Sequence, residues 1–260
     1  MDLGLVGRRA VICGASRGLG LACASALAVE GVSVVINGRS AEALESAANS
    51  IKSARADANV TIAPGDVTTR EGRDALLAAC PTPDILITNA GGPPVGDWRS
   101  FEADAWHSAV DSNMVSAIEL IRAVTGSMAD RGLGRVVNIT SAVVKMPHEM
   151  LALSVAARLG LTGFVRAIAP SLMRSGVTIN NLLPEQFETD RFRSNISALA
   201  KRNGVSPEEE LARQRASIPA GRFGAPHEFG SVCAFLCSAA AGYMTGQNIT
   251  LDGGRYPGVF

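Results

Sequence analysis

The sequence predicts one α/β domain of 260 residues, built on a doubly wound parallel sheet of about seven strands. Short runs rich in Val, Ile and Leu alternate with longer amphipathic stretches along the chain. These runs are nearly continuous in apolar residues, which is typical of strands that helices cover on both faces. No linker, internal repeat or low-complexity segment divides the chain, so residues 1–260 are expected to form a single domain.

Local patterns support each predicted element. Strands are expected at the short apolar runs, in order 9–14, 32–38, 60–66, 84–92, 134–141, 177–184 and 247–254. Helices are expected over the amphipathic stretches 18–30, 41–53, 104–131, 151–174 and 226–239, and the polar stretch 187–217 is also predicted to be helical. Glycines open the first helix, and Ser40 is the expected N-cap of the second. Because crossovers between parallel strands are right-handed, an open doubly wound sheet is favoured.

Composition excludes several classes of function. The 24 basic and 24 acidic side chains balance, so the net charge gives no overall electrostatic attraction to nucleic acid or to an anionic membrane. The first ten residues lack the layout of a signal peptide, and no apolar run is long enough to span a bilayer. The five cysteines form no CxxC pair or Cys/His cluster, so no metal site is predicted. We expect a soluble cytoplasmic protein with free thiols and without nucleic-acid or membrane partners.

A glycine-rich turn, "CGASRGLG" (13–20), joins the first strand to the first helix. Glycines at 14, 18 and 20 let the backbone approach a bulky anion, and the helix N-terminus offers free N–H groups to a pyrophosphate. Three glycines could also form a tight turn only. The strand before and the helix after favour a dinucleotide site.

The second strand indicates which dinucleotide is bound. NAD enzymes commonly place an acidic residue there for the ribose 2′-OH, whereas this strand ends with Asn37 and Arg39. Arg17 lies inside the glycine turn. Two guanidinium groups suit the additional 2′-phosphate, so NADP(H) is predicted in preference to NAD(H). The alternative is two solvated surface arginines.

Further motifs make the chain resemble the short-chain dehydrogenase/reductase family from end to end, in its 3-oxoacyl-carrier-protein reductase type. "CGASRGLG" resembles the family's TGxxxGxG, "GDV" contains the acid beside the adenine, and "TNAGG" (88–92) resembles NNAG. The resemblance implies a Rossmann-like fold and a cofactor site formed by Gly14, Ser16, Arg17, Gly18, Leu19, Gly20, Asn37, Arg39, Asp66, Val67, Asn89, Ala90 and Gly91. "LLPEQFETD" (182–190) resembles the segment against the nicotinamide, which adds Pro184, Phe187 and Thr189, with Glu185 in place of a Gly.

The resemblance also implies catalytic positions, two of which depart from the family pattern. Asn113 matches the residue that anchors a relay water, and Ser141 matches the catalytic Ser. Thirteen residues after Ser141, the family's Tyr is replaced by Ser154, and its Lys is replaced by Arg158. The only tyrosines, Tyr243 and Tyr256, lie near the C-terminus, so no shift of register restores the motif.

The replacements keep positive charge but remove an acid. Ser154 and Arg158 still share a helix face, so Arg158 is expected to bind the nicotinamide ribose and Ser154 to hold a water or the substrate. Arginine does not readily release a proton, and serine is a poor acid. Losing general acid catalysis costs about 10²–10⁴-fold in rate, whereas positioning contributes about 7–11 kcal/mol, so a weakened reductase remains reasonable.

Other titratable residues offer a substitute proton donor. Lys145 and His148 lie on the loop that should frame the substrate, and Glu149 and Glu185 are further candidates. The alternative for each of these residues is an ordinary solvated loop residue. Lys145 is retained with Ser141, Asn113, Ser154 and Arg158 as the predicted catalytic set.

Two hypotheses of function follow. The first is an NADP(H)-dependent oxidoreductase that transfers hydride between nicotinamide and a carbonyl-like or alcohol substrate, with a non-standard proton donor. The second is a catalytically impaired NADP(H)-binding sensor or structural partner. The resemblance further implies self-association, as a homotetramer or homodimer, through the helices near 104–131 and 151–174 and the last strand.

Overall fold

The computed structural model describes residues 2–259, and its centre is one parallel sheet of seven strands. The strands are β1 (Arg9–Ile12), β2 (Ser33–Gly38), β3 (Val60–Pro64), β4 (Ile85–Thr88), β5 (Gly134–Ile139), β6 (Val177–Pro184) and β7 (Asn248–Leu251). They lie in the order β3-β2-β1-β4-β5-β6-β7, and every neighbouring pair is parallel. The predicted fold class, a doubly wound α/β sheet, is confirmed.

Helices cover both faces of the sheet. They are α1 (Gly18–Val29), α2 (Ala41–Ala54), α3 (Arg70–Ala79), α4 (Ala103–Val110), α5 (Ser116–Asp130), α6 (Ala152–Met173), α7 (Asp190–Asn203), α8 (Pro207–Ala216) and α9 (Pro226–Cys237). One core packs α1, α2 and α9 against the sheet, and the other packs α3, α5 and α6 against it. Helix α9 approaches α1 closely because Gly230 has no Cβ, which would lie 2.4 Å from the carbonyl oxygen of Ala22.

Helix α3 is absent from the elements expected from the sequence. Leu76 is its only large, fully buried apolar side chain, so few apolar residues mark this helix in the sequence. The Thr69 hydroxyl caps it by accepting a hydrogen bond from the Gly72 N–H at 3.1 Å. That cap was the local signal available in the sequence.

Two predicted helical stretches are each divided in the structure. Residues 104–131 form α4 and α5, joined by a wider π-helical turn over Asp111–Val115. Residues 187–217 contain α7 and α8, because Gly204 ends α7 in the left-handed region (φ 67°) and Ser206 begins α8 with a reciprocal Ser206–Glu209 cap. Gly204 and the Ser206–Glu209 spacing are stop and start signals that the sequence contains.

Several strands end earlier than their apolar patterns predict. Strand β4 ends at Thr88 and β5 at Ile139, so Asn89 and Ser141 lie in loops beyond the sheet. Strand β7 ends at Leu251. The polar residues of these motifs therefore project from the carboxyl edge of the sheet, where open α/β sheets bind ligands.

The segment Glu149–Met173, which includes α6, has the length and mean hydropathy (1.5) of a membrane-spanning helix, by composition alone. Core helices of globular proteins pass the same test. Here one face of α6 is buried against the sheet through Leu161, Val165 and Ala169, which belong to the second core. We therefore interpret α6 as a core helix.

We expect Gly20→Ala to lower the free energy of unfolding by about 1–3 kcal/mol, because overpacking against rigid neighbours has this cost. A Cβ at Gly20 would lie 2.3 Å from the backbone oxygen of Gly14. Gly126→Ala is the matched control: its Cβ would meet no atom within 4 Å on α5. Gly126→Ala should raise the free energy of unfolding by up to about 1 kcal/mol. Urea denaturation measures both, and equal effects would contradict the prediction.

Candidate active site

The site lies at the carboxyl edge of the sheet, around the point where the strand order reverses. Strand β1 pairs with β2 on one side and β4 on the other, so the loops after these strands diverge and leave a crevice. The Cys13 N–H donates to the Ile87 carbonyl at 2.9 Å, and the Ala15 N–H donates to the Asn37 carbonyl at 2.8 Å. These bonds tie the glycine turn to both neighbouring strands, β4 and β2.

The glycine turn adopts a conformation that side chains would prevent. Gly14 and Gly18 have positive φ angles of 56° and 61°. Asn89 braces the turn by donating from Nδ2 to the Gly14 carbonyl at 3.0 Å. With Gly20 packed on Gly14, the start of α1 lies directly beyond β1.

The N-terminus of α1 has no side-chain cap. Arg17 occupies the N-cap position in an extended conformation, and its side chain makes no capping hydrogen bond. Ser40 and Thr69, in contrast, cap α2 and α3. The free N–H groups and positive dipole end of α1 therefore remain available to an anion.

The loop after β2 brings a second arginine near the turn. Arg17 and Arg39 are both exposed, and Ser16 lies beside Gly38, 3.3 Å from the position that a Gly38 Cβ would occupy. Asn37 is 2 % exposed, and its Nδ2 donates to the carbonyls of Ala63 and Gly65. Its amide nitrogen therefore joins β2 to β3 and does not face the crevice.

Asp66 lies two residues after the end of β3 and has a fixed orientation. Its Oδ1 accepts hydrogen bonds from the backbone N–H and the hydroxyl of Thr68, at 2.9 and 2.8 Å. The backbone hydrogen bond is the largest of the effects that lower the pKa of this carboxyl, so Asp66 is ionised at neutral pH. The next residue, Val67, lines a small cavity shared with Asn89 and Ala90.

Asn113 lies in the π-helical turn, which turns its side chain inward. It is 5 % exposed, its Nδ2 donates to Ser112 Oγ at 2.8 Å, and its Oδ1 is buried without a hydrogen-bond partner among residues 2–259. The adjoining cavity measures about 20 Å³ and extends to Arg158. This volume suffices for one water molecule, and π turns are frequent at functional sites.

Ser154 and Arg158 form a buried pair on α6. Arg158 Nε donates to Ser154 Oγ at 3.1 Å, and its Nη1 donates to the carbonyls of Ile139 and Thr140. These carbonyls end β5, so the guanidinium joins α6 to the strand that precedes Ser141. Because Ser154 Oγ accepts from the cation, its own O–H proton is directed to another partner.

The positive charge of Arg158 has no carboxylate partner within the described part of the chain. Burial and, to a smaller extent, the charge of Arg191 lower the pKa of Arg158 to about 10. It remains protonated at neutral pH. Arg191, at the start of α7, donates to the Gly92 carbonyl at 3.1 Å and so adds a second cation near the crevice.

The loop after β5 carries Ser141 and two of the candidate proton donors. Ser141 Oγ accepts from the Val143 N–H at 3.3 Å. Lys145 is half-buried, with its Nζ 5.1 Å from the ring centroid of Tyr256. His148 is exposed, and its Nδ1 accepts from the Met150 N–H at 3.2 Å. Glu149 is also exposed.

The segment after β6 divides its residues between the core and the crevice. Thr189 caps α7 and lies beside Gly18, within 4 Å of the position of a Gly18 Cβ. The Phe187 ring, in contrast, is 6 % exposed and packs edge-on against Phe229, so only its backbone is left to face a ligand. Pro184 is half-buried at the end of β6.

Glu185, next to Pro184, faces the C-terminal segment. Its Oε1 accepts from Arg255 Nη1 at 2.7 Å, whereas its Oε2 is buried and unpaired within residues 2–259. Burial raises the pKa of this carboxyl, and Arg255 partly opposes that effect.

The sequence reasoning missed three contacts at this edge of the sheet: Arg191 with Gly92, Arg255 with Glu185 and Tyr256 with Lys145. Arg191, Arg255 and Tyr256 lie 33 to 98 residues beyond Arg158 in the chain. No motif spacing predicts such contacts.

The residues at the crevice fit a dinucleotide. The uncapped α1, the two exposed arginines and the orphaned Asn113 oxygen are the observations that support the fit. Gly91 adds a fourth, because a Cβ there would meet no atom within 4 Å and so borders open space.

Known proteins share both the sequence pattern and the fold. The family model described as enoyl-(acyl carrier protein) reductase matches residues 14–255. The 3-oxoacyl-(acyl-carrier-protein) reductase FabG of Vibrio cholerae is 32 % identical over 258 residues, covering 98 % of this chain and 99 % of that protein.

Two solved structures are similar over almost the whole chain. Actinorhodin polyketide ketoreductase with NADPH superposes with a TM-score of 0.92 at 29 % identity, covering 96 % of this chain and 98 % of that one. L-sorbose reductase from Gluconobacter frateurii, complexed with NADPH and L-sorbose, superposes with a TM-score of 0.93 at 28 % identity and full coverage of both chains. The chain therefore belongs to the short-chain dehydrogenase/reductase family, with a 3-oxoacyl-carrier-protein reductase-like sequence.

Proposed function

We propose that this protein is an NADP(H)-dependent oxidoreductase that acts on a carbonyl or alcohol group with a non-standard proton donor. The observation that carries the proposal is the uncapped N-terminus of α1, with exposed Arg17 and Arg39 on the loops after β1 and β2, at the same edge of the sheet as the loop that carries Ser141. A sensor without turnover has no need for Ser141, or for the cavity at Asn113.

The exposed arginines near the glycine turn, and the cofactor present in two similar structures, both favour NADP(H). The loops after β1 and β2 each present an exposed arginine, and β2 is followed by Arg39 and Ser40, with no acid. Guanidinium groups bind phosphate by charge-assisted bonds. The similar ketoreductase and L-sorbose reductase were both solved with NADPH.

Each polar residue of the site has a role that its contacts support. A bound nicotinamide dinucleotide supplies or accepts the hydride. Ser141 orients and polarises the substrate oxygen, and Asn113 Oδ1 holds a water in the adjoining cavity. Arg158 faces the ribose with positive charge, and Ser154, polarised by the Arg158 Nε–H, donates its O–H to a water or to the substrate.

The names of three relatives support a substrate class: a 3-oxoacyl-(acyl-carrier-protein) reductase, a polyketide ketoreductase and an L-sorbose reductase. We propose a ketone or the corresponding alcohol. NADPH oxidation with acetoacetyl-CoA, L-sorbose, a cyclic imine and phenanthrenequinone tests the proposal. Absence of turnover with all four, despite NADPH binding, would favour the sensor.

Ser141→Ala should lower kcat by about 10²–10³-fold, because one hydrogen-bond donor to the reacting oxygen has this effect. The dissociation constant for NADPH should stay within about twofold, since Ser141 lies outside the phosphate cradle. Steady-state kinetics and titration calorimetry give the two values, with the exposed Ser53→Ala as control. A parallel loss of turnover and NADPH affinity would contradict this role.

Arg17→Ala and Arg39→Ala should each weaken NADPH binding by about 10-fold or more, because a hydrogen bond between charged groups contributes about 1.5–3 kcal/mol. NADH binding should change little for Arg39→Ala, since NADH lacks the 2′-phosphate. Calorimetry with both nucleotides measures the difference, and Arg122→Ala, on the exposed side of α5, is the control. Equal losses for NADPH and NADH at Arg39 would refute the assignment.

We also propose that the protein works in the cytoplasm as a homodimer or homotetramer. Val115 and Leu159, beside α5 and on α6, are 37 % and 41 % exposed on one chain. Leu159→Glu should shift the mass in multi-angle light scattering from a multiple of the chain toward a single chain. Val6→Glu, at an 80 % exposed position, should not. A monomeric wild-type protein would rule out the assembly.

A further inference from the structure

Two arginines of the candidate site lack a negatively charged partner. Arg158 is 7 % exposed, and its donors reach a hydroxyl and two backbone carbonyls, none of which carries a charge. Arg191 is exposed at the start of α7 and also forms no ion pair within residues 2–259. Burial is the larger cause of the lowered pKa of Arg158, and the nearby charge of Arg191 is the second. The two cations therefore disfavour each other, and a bound anion would stabilise both.

The loop after β4 connects the surroundings of these two arginines. Asn89 and Ala90 line the small cavity that Arg158 also lines. Two residues later, the Gly92 carbonyl accepts a hydrogen bond from Arg191 Nη2 at 3.1 Å. A Cβ at Gly92 would lie 2.7 Å from that nitrogen, so the absence of a side chain leaves room for the guanidinium. Both cations thus border one short loop at the carboxyl edge of the sheet.

Arg191 keeps hydrogen-bond donors for a ligand. Its Nη2 donates to the Gly92 carbonyl and, at 3.5 Å, to the Pro93 carbonyl. Its Nε and Nη1 donate to no acceptor within the described part of the chain. Because the two carbonyls already restrain the guanidinium, less side-chain freedom is lost when it binds an anion.

The position of Arg191 is unfavourable for an isolated helix. It is the second residue of α7, and the dipole of a helix favours negative charge in the first turn. Asp190 precedes it in that turn and forms no ion pair with it. Helix stability therefore does not account for a cation here, and the positive end of α7 adds to the attraction for an anion.

The cofactor phosphates have other cations nearer to α1. Arg17 and Arg39 lie on the loops after β1 and β2. Arg158 and Arg191 contact the ends of β5 and the loop after β4, and these strands lie on the opposite side of β1 from β2. The loop that carries Ser141 also follows β5. An anion held by Arg191 is therefore expected on the substrate's side of the crevice.

We propose that Arg191, with the positive charge of Arg158 behind it, binds an anionic group of the substrate, so that the enzyme acts on ketones or alcohols that carry a carboxylate or a phosphate. This inference rests on the proposed oxidoreductase function and narrows its substrate class. Arg191 is then a specificity-determining residue. It holds the anion while Ser141 polarises the carbonyl oxygen, and it takes no part in hydride or proton transfer.

Matched pairs of charged and neutral ketones test the proposal. Levulinate and ethyl levulinate differ in a carboxylate, and dihydroxyacetone phosphate and dihydroxyacetone differ in a phosphate. With NADPH, kcat/KM should be about tenfold or more higher for the charged member of at least one pair, because hydrogen bonds to charged groups contribute this much to affinity. The pair that shows the preference distinguishes a carboxylate from a phosphate. A smaller preference in both pairs overturns the inference.

Arg191→Gln removes the charge and keeps an amide donor for the Gly92 carbonyl. The KM of the preferred charged ketone should rise about tenfold or more with kcat within about threefold, since an interaction made equally in the ground and transition states acts on KM. The kcat/KM of the neutral ketone should stay within about threefold, and Arg191→Lys should recover part of the loss.

Arg193→Gln is the matched control for this variant. Arg193 is exposed on the same helix and lies about 200° further around it, so the same charge is removed from another face. Its kinetic constants should stay close to those of the wild-type protein. Equal effects of the two variants would indicate only a change in overall charge and would overturn the role of Arg191.

Titration calorimetry on the NADP⁺-loaded protein measures binding of the charged ketone without turnover, because the oxidised cofactor has no hydride to transfer. Arg191→Gln should weaken this binding by about tenfold or more and leave the dissociation constant for NADPH within about twofold. A tenfold loss of NADPH affinity with an unchanged preference for the charged ketone would assign Arg191 to the cofactor phosphates, which overturns the inference.

The outcomes separate the two proposals. A wild-type protein that reduces neutral ketones as well as charged ones overturns the anion site and leaves the oxidoreductase function standing. A protein that binds NADPH and reduces no ketone overturns the function. Calorimetry then decides the anion site alone: binding of a charged ketone that depends on Arg191 supports it, and binding that is absent or independent of Arg191 overturns it.

Discussion

The close approach of α1 to the end of β1 is the constraint on which the site depends. Gly20 packs on the backbone of Gly14, and Asn89 holds the carbonyl of that same residue. Side chains at these glycines would push the helix away and bend the turn. Because α1 starts here without a cap, its N–H groups and dipole face the crevice. The core contact between α1 and α9, at Gly230, keeps the helix in this position.

The part of the candidate site on α6 keeps a cation at the position of the family's lysine, but the cation is a guanidinium instead of an amine. Arg158 replaces a lysine of the family pattern and is more firmly fixed than a flexible amine, because three acceptors hold its planar guanidinium. Two of these acceptors are backbone carbonyls at the end of β5, so the cation also sets the distance between α6 and the Ser141 loop. The gain is rigidity and permanent charge. The loss is a group that exchanges protons near neutral pH.

The C-terminal segment is held against the loops after β5 and β6 by two side-chain contacts. Glu185 stands where the family pattern has glycine, and its carboxylate holds Arg255. Tyr256 then lies under Lys145, a residue of the loop after β5. The departure from the family pattern at 185 therefore coincides with an ordered C-terminal segment.

The sequence by itself determined the sheet, the glycine turn and the positions of Ser141, Asn113, Ser154 and Arg158, because these features depend on local periodicity and short spacings. It did not predict α3, a short helix with few apolar residues, or the π turn that directs Asn113 inward. Only the tertiary structure showed that the Asn37 amide nitrogen joins two strands and that the Phe187 ring belongs to the core. It alone also joined Glu185 to Arg255 and Lys145 to Tyr256. Residues 70 to 111 positions apart meet only once parallel strands align their carboxyl ends, and no local pattern encodes that alignment.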